Sequence, residues 1–128
     1  MPTPSQKKVL IVEDEDVIVM PLADSLRREG IEVAVAHNGE EGLEAALADV
    51  PDLILLDILM PKMDGLTMLK KLRAAPEGAR IPVLVLTNLG EITSVADTLE
   101  AGISDYLVKS NWKLDDVVRR VNERLARA

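Results

Sequence analysis

Several polar residues in this chain follow directly on short apolar runs. Glu13-Asp14-Glu15-Asp16 follows Val9-Leu10-Ile11-Val12, Asp57 follows Leu53 to Leu56, Thr87-Asn88 follows Val83 to Leu86, and Lys109 follows Asp105 to Val108. Taken singly, each has an ordinary explanation. An acidic run before a helix suits the helix dipole, an Asp after a strand is a common turn residue, a Thr caps a helix and a Lys is usually solvated. Their recurrence at successive run ends is what singles them out. Glu13, Asp14 and Asp57 brought together would repel one another strongly unless a cation intervened. Three carboxylates and a nearby carbonyl make an oxygen-rich site that suits Mg²⁺ with several waters retained. The Lys109 ammonium is a point-charge partner for an anion bound there, and the Thr87 hydroxyl is a compact hydrogen-bond donor. Carboxylate, hard divalent cation, ammonium and hydroxyl together form a phosphoryl-transfer site, where the work is positioning and charge neutralisation.

Such convergence requires the runs to be strands of one sheet. Lys8 to Val12 is an unbroken, β-branched-rich run that reads as a strand buried on both faces. Glu32 to Ala36, Leu53 to Leu56 and Val83 to Leu86 read similarly, and a last strand is expected near Asp105 to Val108. Five helical patterns alternate with them. The fourth carries Ile92, Val95, Ala96 and Leu99, and the fifth Leu114, Val117, Val118, Val121 and Leu125, both at amphipathic spacing. Asn38 is the expected N-cap of the second helix, and Gly30 and Gly102 close the first and fourth. Pro21 falls inside the first helix if that helix begins at Asp16, and is harmless if it begins later. Five alternating strands and helices predict an α/β fold, a doubly wound parallel sheet covered on both faces with right-handed crossovers. Ligands of such sheets bind at the carboxyl ends of the strands, near a topological switch point, where the polar residues above would gather.

Composition bounds the remaining possibilities. A chain of 128 residues with 48% apolar content suits one domain with a core that needs no staple. With no cysteine, disulfides, thiol catalysis and thiolate zinc are excluded; with one Trp, one Tyr and no Phe, the core must be aliphatic. A net charge of −7 and a pI near 4.7 disfavour direct nucleic-acid or anionic-membrane contact. No apolar run approaches the roughly 20 residues of a membrane span, and residues 1–6 lack a signal-peptide core. A cytoplasmic setting is expected, with 1–6 a mobile, Pro-rich lead-in and 7–128 the domain. A nucleotide- or flavin-binding enzyme would need a Gly-rich phosphate cradle, which the chain lacks. An aspartate-nucleophile phosphatase would need an acid two positions after Asp57, where Leu59 stands.

From about Lys8 to Leu125 the sequence resembles the receiver domain of bacterial two-component response regulators, of the single-domain chemotaxis-regulator kind. The resemblance rests on Val9-Leu10-Ile11-Val12-Glu13-Asp14, on Leu55 to Gly65 with its Asp57, Met60-Pro61 and Met63-Asp64-Gly65, on Val85-Leu86-Thr87, and on Asp105-Tyr106-Leu107-Val108-Lys109. It implies a flavodoxin-like (βα)5 fold with strand order 2-1-3-4-5. It also implies that Asp57 accepts the phosphoryl group and that Mg²⁺ is held by Asp57, by Asp14 directly, by Glu13 through water and by the Leu59 backbone carbonyl. Lys109 would hold a phosphoryl oxygen, Thr87 would move toward it, and Tyr106 would rotate inward. Pro61 and Gly65 would shape the loop after the third strand.

By the same resemblance, the donor is a histidine kinase phosphohistidine or a phosphotransfer protein. The domain is no enzyme in the ordinary sense but catalyses its own phosphorylation and dephosphorylation. Phosphorylation would shift the fourth helix, fifth strand and fifth helix and so control a downstream protein, with no direct nucleic-acid or membrane partner. A monomer or a weak phosphorylation-dependent dimer is expected, with Asp115, Asp116, Arg119 and Arg120 a solvated face. The sequence departs from the family pattern at Ser110, where a proline joined by a cis bond is usual; a cis bond before a non-proline costs ~2.5–4 kcal/mol. It departs again at Asn88, where a small residue is common. These departures leave a non-phosphorylated, receiver-like interaction module as the alternative. Leu59 and Leu89, apolar beside the acceptor, would hinder attacking water and slow dephosphorylation.

Overall fold

The five apolar runs form the strands of one parallel sheet. In the computed structural model β1 (Lys8–Val12), β2 (Glu32–Ala36), β3 (Leu53–Asp57), β4 (Val83–Thr87) and β5 (Asp105–Val108) stand in the order β2-β1-β3-β4-β5. The structure describes residues 6–57, 63, 65–87, 105–108 and 113–126, with Thr87 and 105–108 described in their backbone alone. Between the strands lie α1 (Asp16–Arg28), α2 (Gly39–Ala48) and α3 (Gly65–Ala74), a 3-10 turn at Pro76–Gly78, and a C-terminal helix, Leu114–Ala126. The fourth helical pattern and Gly102 lie outside the described residues.

Alternation along the central strands sorts side chains into two cores. Val9, Ile11, Leu53, Leu55 and Leu84 pack with Val19, Leu22 and Leu26 of α1 and with Val117, Val121 and Leu125 of the C-terminal helix. Leu10, Val12, Ile54, Leu56, Val83 and Val85 face the other way, onto Ala46 of α2 and Met68, Leu69 and Leu72 of α3. This is the doubly wound, flavodoxin-like α/β arrangement expected from the alternating pattern. Each fully buried aliphatic side chain contributes about 1.5–3 kcal/mol, so an aliphatic core suffices here without aromatic rings.

The helix ends follow their local chemistry. Asn38 caps α2: its side chain accepts from the Glu41 N–H at 2.9 Å and donates to the Glu41 carboxylate at 2.7 Å. Gly30, at φ 81°, closes α1; its N–H bonds the Arg27 carbonyl at 3.0 Å, and the Ile31 N–H bonds that of Leu26 at 3.2 Å. The helix does begin at Asp16, so Pro21 lies within it. The backbone bond that Pro21 cannot donate belongs to the Val17 carbonyl one turn earlier, and Val17 is 76% exposed, so solvent reaches that face.

One strand differs from its reading as doubly buried. β2 is an edge strand, with Glu32 and Ala34 exposed and Val33 and Val35 half-buried. A sheet edge has a neighbour on one side only, and the Arg27 guanidinium covers part of it by donating to the Val33 carbonyl at 3.3 Å. At the amino ends of the strands, Asp52 accepts the Lys8 N–H at 2.8 Å, and the Lys8 ammonium pairs with Asp49 and Glu32.

Candidate functional site

The strand order places a topological switch between β1 and β3, because the chain leaves β1 for β2 on one side and resumes with β3 on the other. The carboxylates gather at that switch. Val12 pairs with Leu56, so Glu13 and Asp57 extend from the same level of adjacent strands. One carboxylate oxygen from each of Glu13, Asp14 and Asp57 lies within 4.8 Å of the others. Glu13 and Asp57 are buried, at 0% and 2% exposure, whereas Asp14 is exposed and opens the cluster to solvent.

Local bonding holds the acidic strand end in place. The Glu13 N–H donates to the Ala36 carbonyl at 3.0 Å, prolonging the β1–β2 ladder by one step. The Glu13 side chain turns back to accept the Glu15 N–H at 3.3 Å, just ahead of α1. At the rim, the half-exposed His37 ring lies 3.2 Å from the Asp16 carboxylate, joining the end of β2 to the start of α1.

The donor set fits a hard divalent cation. Two oxygens bound to one Mg²⁺ at ~2.1 Å can lie no more than about 4.2 Å apart. A spread of up to 4.8 Å therefore suits a shell in which some carboxylates bind directly and one through water. Three carboxylates drawn this close favour a divalent ion among them.

The other expected site residues fall as follows. Thr87 ends β4 one step beyond Leu86, which pairs with Asp57, and its own backbone pairs with Val108. Its side chain and that of Tyr106 are not among those described. Leu59, Pro61, Asn88, Leu89, Lys109 and Ser110 lie outside the described residues. A residue without an expected role sits close by: Gly39, the first of α2, donates its N–H to the Met63 carbonyl at 3.0 Å. A glycine directly after a helix cap, where helix propensity disfavours it, was the available signal of a close backbone approach.

Comparison with known proteins shows the family and the fold. The family model for the response regulator receiver domain matches residues 9–122. The alkaline phosphatase synthesis transcriptional regulatory protein PhoP of Bacillus subtilis is 42% identical over 103 residues, 80% of this chain and 42% of that protein. The response regulator MprA of Mycobacterium ulcerans is 36% identical over 120 residues, 94% of this chain and 50% of that protein. The chain thus spans about half the length of the curated relatives it matches. Among solved structures, a two-component response regulator from Clostridium difficile superimposes with a TM-score of 0.85 at 30% identity, covering 95% of this chain and 98% of that one. The receiver domain of a sensor histidine kinase from Pseudomonas aeruginosa, solved with a magnesium ion in its active site cleft, gives 0.84 at 28%, covering 95% and 99%.

Proposed function

Because the chain belongs to the response regulator receiver domain family, we propose that it is a phosphorylation switch whose acceptor is Asp57. The convergence of Glu13, Asp14 and Asp57 at the switch point of the sheet carries this reading. An Asp57 carboxylate oxygen attacks phosphorus as the P–N bond of a donor phosphohistidine breaks, giving an acyl phosphate and a free imidazole. Strand β3 holds the nucleophile at its buried end, so little orientation is lost when the donor arrives. Asp14, Asp57 and the Leu59 carbonyl would supply the protein's share of a Mg²⁺ shell, with Glu13 acting through water. When bound, Mg²⁺ neutralises charge that builds on the equatorial oxygens of the transferring group. Lys109 holds a phosphoryl oxygen. Transfer to and from Asp57 is the domain's own catalysis; it turns over no separate substrate.

The domain comprises residues 7–128 and works in the cytoplasm as part of a two-component pathway. No described helix is long and apolar enough to cross a membrane. Its donor is a histidine kinase or a phosphotransfer protein. On α1, Val17 and Met20 are 76% and 68% exposed, one turn apart and directly after the acidic run. This apolar patch beside the site is where the donor protein packs. Phosphorylation adds roughly −1.5 to −2 charges at Asp57. That charge draws in Thr87, followed by Tyr106, and resets the surface of the fourth helix, fifth strand and fifth helix toward a downstream protein. An acyl phosphate is cleaved by neutral hydroxylamine whereas a phosphoserine is not. A label incorporated with Mg²⁺, released by hydroxylamine and absent from Asp57→Asn supports the reading; a hydroxylamine-stable label refutes it.

A further inference from the structure

Asn38 and Gly39 form the one Asn-Gly pair in the sequence, and such a pair carries its own chemistry. With no Cβ to obstruct it, a glycine nitrogen approaches the side-chain amide carbon of a preceding asparagine more closely than any other residue's can. Once the Gly39 N–H gives its proton to hydroxide, the nitrogen attacks the Asn38 Cγ. Ammonia leaves with a proton from water, and a five-membered succinimide closes. Water then opens the ring at either carbonyl. One product is aspartate; the other is isoaspartate, in which the main chain runs on through the side chain of residue 38. The net change converts an amide and water into a carboxylate and ammonium, with no oxidant or metal required.

In the folded chain the reacting groups are tied down. The Gly39 N–H donates to the Met63 carbonyl at 3.0 Å. The Asn38 side-chain oxygen accepts the Glu41 N–H at 2.9 Å, and its nitrogen donates to the Glu41 carboxylate at 2.7 Å. Asn38 is only 7% exposed. One side of Gly39 is filled as well: a Cβ built there would overlap the Met63 carbonyl oxygen and lie 2.9 Å from its carbon. That obstruction is backbone, so glycine is required at position 39 for space alone. We propose that Asn38-Gly39 is a deamidation site that the first turn of α2 holds shut, reacting only when that turn opens. The product cannot re-form the same turn. A carboxylate at position 38 loses the bond donated to Glu41 and meets a like charge there. Isoaspartate also inserts a methylene into the main chain beside the Met63 carbonyl, where the space is already filled.

Trypsin releases residues 29–62 as one peptide whose only side-chain amide is that of Asn38, so its conversion to the acid, read by mass, reports this site alone. At mildly alkaline pH the chain unfolded in guanidinium chloride should convert steadily. The folded chain should convert at least roughly tenfold more slowly, by the fraction of time the turn is open. Glu41→Ala keeps the N–H that caps Asn38 but removes the carboxylate holding its amide. Gly30→Ala weakens the fold at the other end of the sheet, in open space, and leaves the turn untouched. With the two variants brought to equal stability by denaturant, Glu41→Ala should deamidate roughly tenfold faster than Gly30→Ala. The deamidated protein, refolded, should melt several degrees below the unmodified one. No conversion in the unfolded chain overturns the site. Equal rates in the folded and unfolded chains, or in the two variants at equal stability, overturn the lock. An unchanged melting temperature overturns the damage to the turn.

Discussion

Glu13 and Asp57 leave adjacent strands at the same level, one step beyond the Val12–Leu56 pair, and both are buried. With Asp14 they bring three carboxylates within 4.8 Å. Carboxylates this close raise one another's energy, and a divalent cation among them would relieve that repulsion.

Removing one of these charges should therefore stabilise the metal-free protein. Glu13→Gln keeps an oxygen for the Glu15 N–H, which Glu13 accepts at 3.3 Å, while deleting the charge. We expect a gain of about 1–3 kcal/mol without metal, measured by urea denaturation in EDTA. Mg²⁺ should raise the stability of wild type more than that of the variant, approaching ~2.7 kcal/mol at a hundredfold excess over Kd. A destabilised Glu13→Gln protein in EDTA would count against that repulsion.

Gly30 offers a test at the opposite end of the sheet. Its φ of 81° is strained for any residue with a Cβ, although open space surrounds the position. Gly30→Ala should cost about 1 kcal/mol from backbone conformation alone and leave Mg²⁺ affinity unchanged. An altered affinity would mean that the two ends of the sheet are coupled.

The exposed patch on α1 should matter to a protein donor and not to a small one. Val17→Ser combined with Met20→Ser should change stability by less than about 0.5 kcal/mol each. Phosphorylation by acetyl phosphate should be unaffected, while transfer from a phosphohistidine protein should slow roughly tenfold. Equal rates with both donors would place the docking surface elsewhere.

Lys8 sets a pH limit unrelated to the site. Its hydrogen bond to Asp49, with Glu32 adding attraction, raises its pKa above the ordinary 10.5. The folded state favours the charged ammonium. This contribution is complete below the unfolded value and disappears as pH rises through the folded one. The melting-temperature difference between wild type and Lys8→Met should be present near pH 8 and shrink as pH rises beyond the ordinary lysine range. A difference that persists undiminished would assign it to packing of the side-chain stem.

Much of this was legible in the residues themselves. The apolar runs mark β1 to the residue and β3 and β4 to within one, because a strand buried between helix layers must be continuously apolar, and the alternating β-branched run of Glu32 to Ala36 marks β2. Asn38 and Gly30 marked helix ends because caps are local chemistry. The carboxylate cluster followed from one assumption, that the runs are parallel strands. Less legible were features set by neighbours in space. The exposure of β2 depends on sheet order, which periodicity does not encode. The role of Gly39 depends on a carbonyl 24 residues away along the chain. Pro21 was undecided because its cost depends on which helix face solvent reaches.

Phosphorylation at Asp57 is tested most directly by the intact mass of the protein after incubation with acetyl phosphate, with and without Mg²⁺, beside Asp57→Asn. A gain of one phosphoryl group that requires both Mg²⁺ and Asp57 is expected. No gain in the folded wild-type protein, or an equal gain in Asp57→Asn, would contradict it and leave a receiver-like interaction module in its place.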